Sequence, residues 1–280
     1  MKAYLYSPTN IFPDEKSDFG LMRETFEKIK VSPVRVNNLP TEDRAFVIIA
    51  GAENFGYEDS LSAELRKIDY VILFITSDES GQMDVDKIDH PNIKIWVQSA
   101  YPKHHKYFRM PIGAPGHMRG NVPEYSEKKY DAFFAGQVTH ERRVDLARNI
   151  VNINNSVHNF TQGFMQGFPL EEYYFLLAQS KFVPAPAGNV TIDSFRLYEA
   201  IEMLCVPIGD TKDSQGRKFN FWEFTFGDVP FPKTSKWTTL KKIIDDSSDD
   251  YEQKMHNVVS WWIKWKRDFA IKIKEQYHEH

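Results

Sequence analysis

Gly188, Asn189, Ser194, Arg196 and Glu199 are the residues of this chain whose types and spacing best suit chemistry. A glycine-containing loop that runs into a helix start presents unpaired backbone N–H groups to an anion, usually a phosphate. Ser194, preceded by Asp193, is an N-cap type at that start. Arg196 then falls in the first helical turn, where a guanidinium can join those donors on a diphosphate. Glu199 follows three residues later and Glu202 three after that, on one helical face, and carboxylates there suit ribose hydroxyls. Gly136, Arg142 and Arg143 form a second group. The two arginines lie near the start of the next expected helix, where a cation opposes the helix dipole. That placement favours a side chain that reaches for phosphate, although a surface arginine is an equally ordinary reading. In the loop 161–167, a nucleobase could stack on Phe160 or Phe164.

These groups need a scaffold, and the pattern around them supplies one. Phe182-Val-Pro-Ala-Pro reads as a short strand broken at Pro184 and Pro186. A helix from Ser194 to about Leu204 and a strand at Cys205–Ile208 follow. Upstream, 129–135 is a strand closed by Gly136, 141–151 a helix, 157–161 a strand and 170–179 a helix. Strand, glycine loop, helix, strand is the unit that binds nucleotides at strand ends.

The run Ser194-x-Arg196-x-x-Glu199-Ala200, then Cys205-Val206-Pro207-Ile208, resembles the C-terminal signature of exostosin-like glycosyltransferases. Tyr173–Phe182 is similar to the helix and "S-K-F" strand that precede it in that family. Asp131-Ala-Phe-Phe-Ala-Gly136, with Arg142 and Arg143, is similar to the start of the same domain. The likeness covers roughly the second half of the chain. It implies a GT-B enzyme of two Rossmann-like domains, a nucleotide-sugar donor on the second, an acceptor on the first, and the Asp210 loop flanking the sugar. It also implies a C-terminal helix that crosses back to the first domain.

Composition bounds the alternatives. Of 280 residues, 41% are hydrophobic and 14% aromatic, enough for sizeable cores. The net charge of −4 provides no global basic field for nucleic acid or acidic lipid. The single cysteine, Cys205, rules out an intramolecular disulfide and fits a reducing compartment. No signal-peptide pattern or membrane-length apolar run is present, so the expected location is cytoplasmic.

The first half alternates apolar runs (2–6, 45–50, 70–76, 93–98) with helical stretches (19–30, 61–68), as a parallel, doubly wound sheet requires. Ligands there bind at carboxyl ends of strands, which singles out the loops 7–10, 51–53, 77–79 and 99–101. Glu53, Asp78 and Glu79 lie in them, and each is a candidate general base toward an acceptor hydroxyl. Asp78 ranks first because its strand is the most apolar and so central. A carboxylate after a strand is also an ordinary solvated loop residue. Asp84-Val-Asp86 has the D-x-D form that holds a divalent metal in single-Rossmann (GT-A type) glycosyltransferases. It sits in an acidic turn away from any strand end, and we assign no metal to it. The Pro/Gly-rich stretch 100–125 is an inter-domain connection, and its basic cluster Lys103–Arg109 could meet a polyanion.

The expected architecture is therefore α/β, with two Rossmann-like doubly wound domains of GT-B type. The first covers 1–115, the second 125–250, and a helix at 251–280 packs on the first. That helix is basic and amphipathic, so a membrane surface is its competing partner. The expected activity is metal-independent transfer from a nucleotide-diphosphate sugar, a UDP-sugar, to a glycan or glycoconjugate hydroxyl, with no further cofactor. A DNA glycosyltransferase acting on 5-hydroxymethylcytosine, as in bacteriophages, is a second reading. A non-catalytic nucleotide-sugar or glycan-binding module is a third.

Overall fold

The computed structural model describes residues 1–13, 19–118, 126–163 and 166–279. The chain divides into two compact units, Met1–Gly116 with Trp265–His280, and His117–Lys264. Each is α/β, built on one parallel sheet.

In the first unit the elements run β1 (Ala3–Tyr6), α1 (Gly20–Lys28), β2 (Val34–Val36), β3 (Glu42–Ala50), α2 (Glu58–Leu65), β4 (Ile68–Thr76), β5 (Ile93–Gln98) and β6 (Phe108–Met110). The six strands are ordered β2-β1-β3-β4-β5-β6, and every pairing is parallel. Residues 45–50 of β3 and 70–76 of β4 are buried without polar alternation because helices cover both faces of a parallel sheet. Phe26 of α1 packs edge-on against Phe46 and Phe74, with ring centroids 5.4 and 5.9 Å away.

In the second unit they are β7 (Tyr130–Gln137), α3 (Glu141–Ile150), β8 (Ser156–Thr161), α4 (Leu170–Ala178), β9 (Ser180–Ala185), α5 (Phe195–Glu202), β10 (Val206–Asp210), α6 (Phe221–Phe226), β11 (Lys233–Thr234), α7 (Leu240–Ser248) and α8 (Tyr251–His278). Its five strands are ordered β11-β10-β9-β7-β8, again all parallel. Phe134, Phe182, Ile208, Trp237 and Leu240 are buried together in its core.

The residues of α8 belong to both units: 251–264 group with the second and 265–280 with the first. In the second unit, Trp262 Nε1 donates to Glu202 Oε1 at 2.7 Å. In the first, Trp96 Nε1 donates to Gln276 Oε1 at 2.9 Å, and the buried Lys266 ammonium meets Glu24 at 3.0 Å. Val258, Trp262, Phe269 and Ile273 of the helix are buried in protein core, while Ile263 and Ile271 stay exposed. Among the described residues no helix is long and apolar enough to cross a membrane.

The strands absent from the sequence pattern are β2, β6 and β11, with two or three residues each at or next to a sheet edge. So short an element has too few side chains to show a period. β6 lies inside the stretch expected to be a connecting segment. A second departure is β9, which does not break at Pro184 but continues to Ala185. The helix expected to reach Leu204 ends at Glu202, and Leu204 takes φ +57° as the chain turns into β10.

Candidate functional site

Both sheets place their first strand between the second and the third. The direction of winding therefore reverses at β1/β3 in the first unit and at β7/β9 in the second. Open α/β sheets bind ligands at such switch points, outside the carboxyl ends of the strands.

At the β7/β9 switch point the strands part. β9 pairs with β10 as far as Ala185, but its pairing with β7 ends at Ala132↔Phe182. Pro184, with no N–H to donate, lies in the interval. Arg196 of α5 takes over there: its Nη2 donates to the Ala135 carbonyl at 2.6 Å, and its Cζ lies 4.6 Å from the centre of the Phe134 ring. Gly136 makes room for it. The glycine holds φ +155°, and a Cβ on it would collide with Arg196 Nη2. Arg196 Nε is buried and has no hydrogen-bond partner among the described residues. A guanidinium held at a parted sheet edge has the donor chemistry that suits an oxyanion.

Glu199, one turn further along α5, is buried, and its Oε2 accepts from the Tyr173 hydroxyl at 2.8 Å. Burial raises its carboxyl above the usual range, while the Arg196 charge and the Tyr173 bond work to lower it. Arg196 and Glu199 thus share one face of α5, as their spacing predicts. Ser194 is the N-cap residue of α5, yet among the described residues its side chain makes no capping bond. The buried Asp193 carboxylate accepts from the Tyr198 hydroxyl at 2.6 Å instead. The Gly188 loop folds onto this helix start, where a Cβ on Gly188 would lie 2.8 Å from the Asp193 carbonyl oxygen. Asn189 is exposed and accepts from Thr139 Oγ1 at 3.3 Å. Glu202, the alternative ribose partner, is engaged by Trp262. Phe160 stacks on His158 with ring centroids 5.2 Å apart, and Phe164 lies outside the described residues.

Arg142 and Arg143 depart from the expectation of phosphate ligands. Arg142 forms a bidentate pair with Asp210, Nε to Oδ2 at 3.0 Å and Nη2 to Oδ1 at 2.7 Å, and both side chains are buried. Trp237 Nε1 and the Lys212 amide also donate to Asp210, at 3.2 and 3.0 Å. Arg143 donates to the carbonyls of Ala187 at 3.2 Å and Gln137 at 3.1 Å, which clamps the β9 exit loop to the end of β7. Their positions at a helix start are explained by internal partners. Asp210 therefore anchors the end of β10 from inside.

His140 is a site neighbour that sequence reasoning passed over. It is the N-cap residue of α3, and its Nε2 lies 3.3 Å from the Ala187 carbonyl oxygen. Its Nδ1 is buried and has no partner among the described residues. Burial, reinforced by the Arg143 charge, pushes this imidazole down to about 4. A lone histidine carries no spacing signal, so only its place beside the Gly188 loop reveals it.

In the first unit, non-glycine residues with left-handed backbone follow three strands: Asn10 (φ +65°), Ser77 (φ +54°) and Ser99 (φ +50°). Backbone strain of this kind concentrates at functional loops. Asp78, the first-ranked base, is buried, and its carboxylate accepts from the amides of Gln82 at 2.8 Å and Met83 at 3.0 Å. Those bonds make it the cap of its own loop. Asp78→Ala should cost about 1.5–3 kcal/mol in urea unfolding, the range for bonds to a charged group. Its turnover should fall by less than about tenfold, against about 10²–10⁴-fold for a true general base. Glu79 is half-buried, and its carbonyl accepts from the Tyr101 hydroxyl at 2.6 Å. Glu53 is exposed, in a short 3-10 turn after β3, and makes no hydrogen bond or ion pair among the described residues. By geometry it is the carboxylate most open to a ligand.

Asp84 pairs with Lys87 at 3.7 Å, while Asp86 pairs with Lys106 at 2.7 Å and accepts from the Tyr107 hydroxyl. Among the described residues no group of three or more His, Cys, Asp or Glu is placed to hold a metal ion. Two members of the basic cluster are engaged at the surface, Lys103 by the Gly81 carbonyl and Lys106 by Asp86.

His104 of this cluster is buried, and its Nδ1 accepts from the Tyr101 amide at 3.1 Å. Burial, with Lys103 beside it, pushes the imidazole down to about 4. An unfolded histidine titrates near 6.5, so between about 6.5 and about 4 the unfolded chain binds more protons than the folded one. Stability from His104, and likewise from His140, is complete above about pH 6.5 and is lost as pH falls to about 4. Denaturant unfolding from pH 7.5 to 4 should follow that slope, and His104→Gln should flatten it. An unchanged slope in the His104→Gln/His140→Gln double variant would show that neither ring is neutral in the fold.

No protein-family model matches this chain, and no curated protein matches it.

Proposed function

We propose that this chain is a GT-B glycosyltransferase of the exostosin-like kind, transferring a sugar from a UDP-sugar to a hydroxyl of a glycan or glycoconjugate. One observation carries the reading: Arg196 and Glu199 stand together on α5 at the point where the carboxyl ends of β7 and β9 part. In this reading the diphosphate lies on Arg196 and the start of α5, and Glu199 receives the ribose hydroxyls. The donor belongs to the second unit and the acceptor to the first.

The barrier in such a transfer is cleavage of the anomeric C–O bond, through an oxocarbenium-like state, while negative charge builds on the departing diphosphate. Fixed donors aimed at that charge supply the largest share of catalysis. Arg196 is such a donor, because Ala135 and the Phe134 ring hold its guanidinium in place before any ligand arrives. With a guanidinium and a helix start meeting the charge, the reading requires no divalent ion.

Calorimetry with UDP tests it. The wild-type chain should bind UDP, and Glu199→Ala should weaken binding by about 1.5–3 kcal/mol, the range for a charge-assisted hydrogen bond. Equal UDP affinity in the two proteins would remove Glu199 from the site. Absence of UDP binding by the wild type, together with no UDP release from UDP-sugars, would remove the function.

A further inference from the structure

The loop that leaves β3 at the first unit's switch point has a composition that the donor chemistry does not use. Over residues 51–57 it exposes Phe55 and Tyr57, each at 54%, and beside them the carboxylate of Glu53. Ile11, 49% exposed, stands on the loop after the neighbouring strand β1. Large apolar side chains this open, on loops at the ligand-binding end of a parallel sheet, mark a recognition surface.

We propose that the 51–57 loop is a platform for an uncharged saccharide, the acceptor in the reading above. Phe55 and Tyr57 offer ring faces to the C–H face of a pyranose, and Glu53 accepts hydrogen bonds from its hydroxyls. The charge of the loop's own segment favours this occupant. Residues 45–65 contain no Lys or Arg, and Glu53 and Asp59 are exposed there. A phosphate backbone needs cations to neutralise it, so nucleic acid finds none in this stretch. Hydroxyl-rich neutral rings meet no such penalty, and a free carboxylate is a strong acceptor for them.

The loop is also incompletely satisfied beneath. Asn54 is 1% exposed, and its Oδ1, like Ser77 Oγ, is a buried polar atom with no hydrogen-bond partner among the described residues. Buried polar groups are normally paired, so their presence here fits a loop that completes its bonding when occupied.

Saturation-transfer NMR with a panel of methyl glycosides of neutral hexoses and N-acetylhexosamines tests the platform. At least one should bind the wild-type chain, with transfer strongest to the C–H protons of one ring face. Phe55→Ala/Tyr57→Ala should weaken it by about tenfold, the scale of two ring contacts. Phe175→Ala, which removes another exposed ring in α4, should leave it unchanged. UDP affinity, measured alongside, should be the same in all three proteins. Equal glycoside binding by the double variant, binding of none of the panel, or duplex DNA binding that is lost in the double variant would each overturn the platform. If no protein binds UDP while glycosides bind at these rings, the transferase reading fails and the platform stands.

Discussion

Arg196→Ala should lower turnover by about 10²–10³-fold, the loss expected when one fixed donor to a developing anion is removed. This is the largest catalytic effect the site should show, because the side chain is held in place by the fold. The Ala135 carbonyl takes Nη2 at 2.6 Å, the Phe134 ring lies under Cζ, and Gly136 leaves room alongside. Arg196→Lys should recover little, since an ammonium cannot hold the Ala135 carbonyl and still present a second fixed donor. Substrate release of UDP, followed at saturating UDP-sugar, reads kcat directly. Loss confined to KM would assign Arg196 to ground-state binding. Unchanged kcat/KM would take it out of the site.

Asp210→Ala should destabilise the protein by about 3–5 kcal/mol, the cost of leaving a buried charge without its partner. Asp210 is 0% exposed, so no water reaches it to replace what is lost. The substitution leaves the Arg142 guanidinium with the longer Asp145 pair at 3.7 Å, and leaves Trp237 Nε1 and the Lys212 amide without their acceptor. Urea unfolding of the single variants and of Arg142→Met/Asp210→Leu separates pairing from burial. The double variant should recover only the part due to the guanidinium, because an apolar pair has no charge to bury while Trp237 Nε1 and the Lys212 amide still lack their acceptor. If Asp210→Ala costs no more than about 1 kcal/mol, the typical value for a substitution, the pair is not holding β10 in place.

These two residues mark the boundary between what the chain announces and what its packing decides. Arg196 and Glu199 were legible because their relation is local: three residues apart on a helix means one face, whatever lies nearby. The apolar runs 45–50 and 70–76 were legible for the same reason, since a strand without polar alternation must be covered on both sides. The parallel α/β class followed from how such runs alternate with helical ones.

The fate of Arg142 was not local. Its partner Asp210 is 68 residues away, and until β10 lies beside β9 nothing distinguishes a phosphate-seeking arginine from one already neutralised. Asp78 shows the same limit at short range. Rank by strand position favoured it, but the turn after β4 brings two amides onto its carboxylate, and Glu53 is left as the open one. Pro184 signalled a strand end in the sequence, yet the structure keeps the strand and opens one of its two sides. Side-chain type and spacing determine which chemistry a residue can perform. Tertiary packing alone determines whether its hydrogen-bonding capacity is already spent, because a buried polar group takes whichever partner the fold brings within about 3 Å.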